Sequence, residues 1–489
     1  MNNIMSLTLD TIHALDTTKV APFYFRKNKD GKYLITNEFG YYAYLEEGEF
    51  INFISWNIEP WKRQDELDSK LFIQNNTYQD RALLAYNKKN SFLAYGPPLH
   101  MIVTTLRCNH KCQYCHAAVA PMTAKNLDMT RETAEKVVDT IFYTSAPGLT
   151  IEFQWGESLV NWDIVQFIVE YARIKAKVLQ KTLNFSLVSN LSLMDEEKLT
   201  WLLDRGVDIC TSLDGDKQTH NWQRTYKDGD SFEKVIYWIK RINEERRNRW
   251  NPEYRMWALA TWTKPWLKNY KEIIDTYIDI WLTTIWLRWL NPYGFAATER
   301  DTLEYTLDEY FEFYKDAMNY ILEKNKEGIF LSEMLSKVYL NKILNNTDSG
   351  YMDVRSPSGI AIWWVAYNYD GKVYASDESR MLGRMGMEDF LMTPMLETGE
   401  ETYKAMANSD VTKISVQSST LDGIPGYIDH VYKPYLGVDL IYAFTQHGNV
   451  FSNFSKDDKT RIQVSMLDYL FEKLQDPENE KIFRNWLNN

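Results

Sequence analysis

Hydrophobic and polar positions change rhythm along this chain near residue 98. Before that point, short aromatic and β-branched runs alternate with turn residues. Phe23-Tyr24-Phe25-Arg26, residues 31–37 and residues 41–45 read as strands, and residues 47–56 and 64–72 read as helices. Residues 1–97 are therefore expected to form a small α+β module. Beyond it, apolar strands at 101–107, 149–155, 183–190, 208–214, 255–262 and 284–290 alternate with helical patterns at 163–179, 195–204, 232–248 and 270–282. A further helix is expected after Thr130, a capping residue, with Ala134, Val137, Val138 and Ile141 at i, i+3, i+4 and i+7. Only a crossover helix returns the chain to a parallel neighbour, so six strand–helix repeats predict an α/β fold. The expectation for 98–300 is a partial (β/α)6 barrel of the TIM type, with chemistry at the C-terminal strand ends. Residues 301–489 continue with helical patterns at 307–324 and 331–344, a polar loop at 345–350, and a hairpin around Asp370-Gly371.

The first barrel strand runs directly into Cys108-Asn109-His110-Lys111-Cys112-Gln113-Tyr114-Cys115-His116. Three thiolates in eight residues can hold three irons of a 4Fe–4S cluster and leave the fourth iron open to a substrate or cofactor. A zinc ion with His110 or His116 as fourth ligand is the alternative, although zinc ligands usually come as two separated pairs. The fourth cysteine, Cys210, shares strand parity with Ser212 and Asp214, which turns it toward the barrel interior. A thiol there can give a hydrogen atom to a substrate radical, or simply be inert and buried.

Four cysteines in 489 residues, three of them clustered, do not make a disulfide framework. The formal charge of −12 argues against a nucleic-acid groove. No apolar stretch approaches the roughly 20 residues that span a bilayer. Met1 to Thr8 shows no signal-peptide pattern, so the cytoplasm is the expected compartment.

The C-x3-C-x2-C spacing, with Tyr114 before the last cysteine, resembles the signature of the radical S-adenosylmethionine (SAM) superfamily. Leu99 to Arg107, Arg288 to Phe295 and Tyr367 to Gly371 extend the likeness through most of the chain. With them the chain resembles radical SAM peptide maturases, specifically those of the His-Xaa-Ser system. The resemblance implies one 4Fe–4S cluster on Cys108, Cys112 and Cys115, with SAM bound at the open iron.

It also implies roles for other residues. Trp155-Gly156-Glu157-Ser158 stands where the family usually has Gly-Gly-Glu-Pro, and Glu157 would accept from the SAM amino group. Ser189 and Asn190 match the ribose contacts. Ser212 and Arg224 would hold the SAM carboxylate, to which a planar guanidinium is well matched. Arg288 is a further inward candidate.

Relatives of this architecture carry a cysteine-rich C-terminal domain of the SPASM type with auxiliary clusters. The matching segments here are Arg355 to Gly359, Tyr374 to Glu378 and Ile424 to His430, and no cysteine follows Cys210. Thiolate-held auxiliary clusters are thus excluded within this chain. The implied activity is one-electron cleavage of SAM to a 5′-deoxyadenosyl radical, fed by a flavodoxin or ferredoxin-type donor. That radical would abstract hydrogen from a precursor peptide to give a crosslink, an oxidation or an epimerisation. Cys210 is the catalytic candidate, and residues 1–97 are a candidate peptide-binding module. A radical SAM enzyme for a small molecule, and a non-catalytic peptide-binding pseudoenzyme, are the alternatives.

Overall fold

The computed structural model describes residues 16–57, 63–249, 254–348 and 350–488. The reading of Met1 to Thr8 lies outside them. The chain divides into two compact units. One comprises Met1–Ala94, Val338–Ser358 and Ser418–Glu472, the other Tyr95–Lys337, Gly359–Gln417 and Lys473–Asn489.

In the first unit, β1 (Tyr24–Lys27), β2 (Tyr33–Thr36) and β3 (Tyr42–Leu45) form an antiparallel sheet in the order β1-β2-β3. Its apolar face, with Ile35, Ala43 and Leu45, packs on Phe50, Phe53, Leu67 and Phe72. Tyr33 stacks on Phe50 at 4.1 Å between ring centroids. The strand and helix patterns expected for residues 23–72 are present, with helices at Glu47–Ile54 and Arg63–Ser69.

The second unit is built on an eight-stranded sheet. Its strands in chain order are β4 (Leu99–Ile102), β6 (Gly148–Phe153), β7 (Thr182–Val188), β8 (Val207–Ser212), β10 (Trp257–Leu259), β13 (Trp364–Tyr367), β14 (Val373–Tyr374) and β15 (Leu391–Thr393). Two small ladders accompany it, β5 (His110–Cys112) with β9 (Arg224–Tyr226) and β11 (Thr284–Ile285) with β12 (Ser332–Glu333). The sheet order is β10-β8-β7-β6-β4-β13-β14-β15, parallel from β10 through β13 and antiparallel thereafter.

Alternation along β6 decides the faces. Leu149, Ile151 and Phe153 are fully buried, whereas Thr150 and Glu152 on the opposite face are only half-buried. Helices Trp162–Leu179 and Glu196–Asp204 pack against β7 and β8. The helix Arg131–Ile141 is capped as the sequence suggested, Thr133 N donating to Thr130 Oγ1 at 3.1 Å. Its Ala134, Val137, Val138 and Ile141 are buried, and each of the larger side chains contributes about 1.5–3 kcal/mol of hydrophobic stabilisation.

Two expectations need correction. The sheet is mixed, and the sixth strand at 284–290 does not join it; only Thr284–Ile285 pairs, and its partner is β12. Side chains take the backbone groups a ladder would have used. Leu287 N donates to Glu333, Trp286 O accepts from Trp262 Nε1, and Leu287 O accepts from the Tyr310 hydroxyl. The place beside β4 is filled instead by β13, a strand far along the chain with all four residues buried. It covers what would have been an exposed edge of β4. Among the described residues, no helix is long and apolar enough to cross a membrane.

Candidate active site

The cysteine loop leaves β4 and closes on itself. Cys108 N donates to Ala120 O at 3.0 Å, and Ala120 N to Leu106 O at 2.7 Å. Arg107 pins the base by donating from Nε to Asp128 at 2.8 Å and from Nη1 to Met122 O at 3.1 Å. Cys108, Cys112 and Cys115 are free and half-buried. Desolvation pushes all three thiols up, Cys112 to about 12, while backbone N–H groups of Ala117 and Val119 pull Cys115 back down.

β5 and β9 bring a second group of residues to this loop. Their antiparallel register sets Cys112 opposite Arg224 and His110 opposite Tyr226. Arg224 Nη1 lies 3.9 Å from Cys112 Sγ, and Nε donates to Asp214 Oδ2 at 2.9 Å. The same carboxylate oxygen accepts from the Tyr114 hydroxyl at 2.6 Å, and Oδ1 accepts from Thr261 N at 3.1 Å. Tyr114 is thus a buried strut from the cysteine loop to the end of β8. Arg224 faces Cys112 directly, its charge balanced by the Asp214 carboxylate.

Glu157, 1% exposed, closes the other side. Its Oε1 accepts from Ser189 Oγ at 2.7 Å and Leu159 N at 3.1 Å, and its Oε2 accepts from Asn190 N at 2.8 Å. A carboxylate has about four acceptor sites, so one remains on Oε2. Burial raises the Glu157 pKa, opposed by these bonds. Trp155 and Gly156 hold positive φ of 68° and 64°, and a Cβ on Gly156 would fall 2.3 Å from Thr105 O. Trp155 therefore sits in a left-handed conformation that glycine adopts without strain.

The remaining residues named from the sequence are distributed unevenly. Ser189 is committed to Glu157, and Asn190 Nδ2 donates to Asn109 Oδ1 at 3.0 Å, 3.8 Å from Cys108 Sγ. Ser212 is half-buried at the end of β8, in register with Leu259. Arg288 lies beyond β11 rather than on a sheet strand. Its Nη2 is 3.7 Å from Glu378, and its side chain is 40% exposed. Cys210 lies on the half-buried face of β8, its Sγ 3.7 Å from Thr211 O, and desolvation pushes its thiol to about 12.

Asp214 and Asn109 were missed as site residues. An acid directly after a parallel strand, in Ser212-Leu213-Asp214-Gly215, was the available signal for the first. Asn109 carries no signal apart from its place between two cysteines.

The donors present suit an iron–sulfur cluster. Three thiols share one loop, each with N–H or guanidinium donors toward its sulfur, and Asn190 and Arg224 flank them. Among the described residues no three His, Cys, Asp or Glu groups converge as one metal ion would require. Thiolates that bind separate irons of one cluster need no such convergence. His110 is buried and neutral, its pKa lowered to about 3 by desolvation.

Residues 102–257 match the Radical SAM superfamily, and the chain carries a radical SAM domain. Members of that superfamily use a 4Fe–4S cluster and SAM. The chain is 22% identical to the radical SAM cyclopropyl synthase TigE of Paramaledivibacter caminithermalis over 58% of its own length and 62% of TigE, less than two thirds of that relative. The structure of anSMEcpe with bound AdoMet has the same fold, with a TM-score of 0.61 at 17% identity over 80% of this chain and 98% of that one. Streptococcus suis SuiB bound to precursor peptide SuiA matches at a TM-score of 0.51 and 12% identity over 88% of this chain and 98% of that one.

Proposed function

We propose that this protein is a radical SAM enzyme that modifies a residue of a ribosomally made peptide. The observation that carries it is the convergence of the three-cysteine loop, Glu157 and Arg224 at the C-terminal ends of the parallel strands of a radical SAM domain. When bound there, the cluster and SAM supply one-electron cleavage of SAM to methionine and a 5′-deoxyadenosyl radical. Cys108, Cys112 and Cys115 hold the cluster, with Tyr114 and Arg224 bracing its loop. The free acceptor site of Glu157 takes the SAM amino group, and Gly156 keeps the backbone clear beside it. Asn190, with Ser189 behind it, would hold the ribose. Ser212 and Arg224 receive the carboxylate, and Arg288 stays at the periphery.

The peptide reading is supported by a structural neighbour and by the sequence resemblance. SuiB has been solved with a precursor peptide, and the sequence resemblance is to peptide maturases. A leader could add as a strand to the edge of β1, the mode extended peptides use on open sheets. On this reading 98–300 curls as a partial barrel around the half-buried face. The residues beyond 300 keep a SPASM-like frame without auxiliary clusters. A flavodoxin or ferredoxin-type protein delivers the electron. Cys210 stays protonated at neutral pH, as a hydrogen-atom donor requires.

The test is anaerobic reconstitution with iron and sulfide, reduction, addition of SAM and quantification of 5′-deoxyadenosine. Production by the parent and none by a Cys108/Cys112/Cys115→Ala triple variant is the expected result. No 5′-deoxyadenosine from a parent with four irons per chain, with candidate precursor peptides present, would favour the peptide-binding pseudoenzyme.

A further inference from the structure

The half-buried face of the eight-stranded sheet holds a carboxylate of its own. Glu152 stands on β6 with its side chain on that face, opposite the one that buries Ile151 and Phe153. Register sets it directly across from Ser186 on β7, and Ser186 directly across from Asp208 on β8. Cross-strand neighbours share a face, and alternation puts Cys210 and Ser212 on it as well, two and four residues further along β8. At about 3.3 Å per residue, the row of Glu152 lies roughly 7 Å further from the C-terminal strand ends than Cys210, and roughly 13 Å further than Ser212.

The partners of this carboxylate are neutral. Gln154 Nε2 donates to Glu152 Oε1, and the Ser186 side chain adds a second hydrogen bond. Among the described residues no lysine, arginine or histidine forms an ion pair with it. Two acids of the neighbouring strand and its end are matched instead, Asp208 by Arg246 at 2.7 Å and Asp214 by Arg224 at 2.9 Å. A carboxylate drawn out of water without a counter-ion is costly, and a cation brought by a ligand recovers that cost. The face is open to a ligand, since Trp257, in register with Cys210, is 52% exposed.

We propose that Glu152 is a specificity residue for the substrate, its carboxylate receiving the ammonium or guanidinium of a lysine or arginine side chain of the bound peptide. A long cationic side chain spans the step from the row of Cys210 to Glu152, which lays its carbon stem along the face that leads to the strand ends. No bond forms or breaks in this recognition. The inference rests on the reading of the protein as a radical SAM enzyme acting on a peptide.

The probes are four radiolabelled, N-acetylated pentapeptide amides with two glycines on each side of a central lysine, arginine, norleucine or glutamate. Their binding to the anaerobically reconstituted, SAM-loaded protein is measured by equilibrium dialysis, and 5′-deoxyadenosine is quantified in parallel after reduction. The lysine and arginine peptides are expected to bind the parent about tenfold tighter than the norleucine peptide. Glu152→Gln is expected to abolish that difference, Glu152→Asp to retain part of it, and Glu152→Lys to reverse it in favour of the glutamate peptide. Iron content and circular dichroism check each variant, and the Asp and Lys arms keep the test decisive if the Gln variant does not fold.

Equal binding of the lysine and norleucine peptides, or binding of neither, by a parent that forms 5′-deoxyadenosine overturns the role of Glu152 and leaves the enzyme reading intact. A cation preference that survives in Glu152→Gln also overturns it, because another group would then carry the recognition. A parent that shows the preference but forms no 5′-deoxyadenosine supports the cation site and overturns the catalytic reading.

Discussion

Cys112 and Arg224 stand directly opposite one another across the β5–β9 ladder, with Nη1 3.9 Å from Sγ. The pairing joins residues more than a hundred positions apart, and Asp214 completes it by holding the guanidinium and the Tyr114 hydroxyl on one oxygen. The brace is made entirely by side chains of the protein.

Removing the carboxylate charge from this brace should be expensive. Asp214→Asn leaves Arg224 buried without its counter-ion, a change that typically costs about 3–5 kcal/mol. Urea unfolding of the protein without cluster measures it directly. A loss below about 1 kcal/mol would mean that solvent reaches Arg224 readily enough to replace Asp214.

Glu157 gives a second prediction. In Glu157→Gln the amide N–H₂ must face one of the three donors that now bond the carboxylate, costing about 1–3 kcal/mol of stability. SAM binding to the reconstituted protein should weaken about tenfold, equivalent to ~1.4 kcal/mol. Equilibrium dialysis with labelled SAM reads the change, and parent-like affinity would remove Glu157 from the binding site.

Gly294 is a packing requirement of the cysteine loop. Its φ is 57°, and an added Cβ would lie 2.3 Å from His116 O and 2.5 Å from Cys115 O. Phe295 N meanwhile donates to Cys115 O at 2.9 Å. Gly294→Ala must displace one backbone segment, with about 1–3 kcal/mol of strain. Iron per chain after reconstitution should fall while far-ultraviolet circular dichroism is retained; full iron loading would show that the loop yields freely.

His100 supplies a pH dependence. It is fully buried, with Nδ1 3.2 Å from the Tyr367 hydroxyl, and burial lowers its pKa to about 3. Unfolded, it titrates near 6.5. Between those values the unfolded chain binds a proton that the folded chain does not, so stability falls as pH drops through the window. From pH 7 to 5 this one group costs about 2 kcal/mol. Unfolding free energies of the parent and His100→Gln at the two pH values give the comparison, with the variant losing about that much less.

The cysteine signature, the strand–helix alternation over five strands and the capped helix after Thr130 were all legible in the chain. Each depends on residues within a dozen positions of one another, and local periodicity and capping report such arrangements faithfully. The strand expected at 284–290 failed for a nonlocal reason. Trp262, Tyr310 and Glu333, distant in sequence, take its backbone groups. Arg288 left the sheet with it.

What the sequence determined by itself was the chemistry: three thiols at fixed spacing on a loop after an apolar strand, and no cysteine beyond Cys210. Tertiary structure alone decided which charges meet those thiols. Arg224 reaches Cys112 because β5 and β9 pair, and β13 takes the place beside β4 because that edge needs a partner. Such meetings depend on strand pairing between remote segments, which hydrophobic periodicity along one segment does not encode.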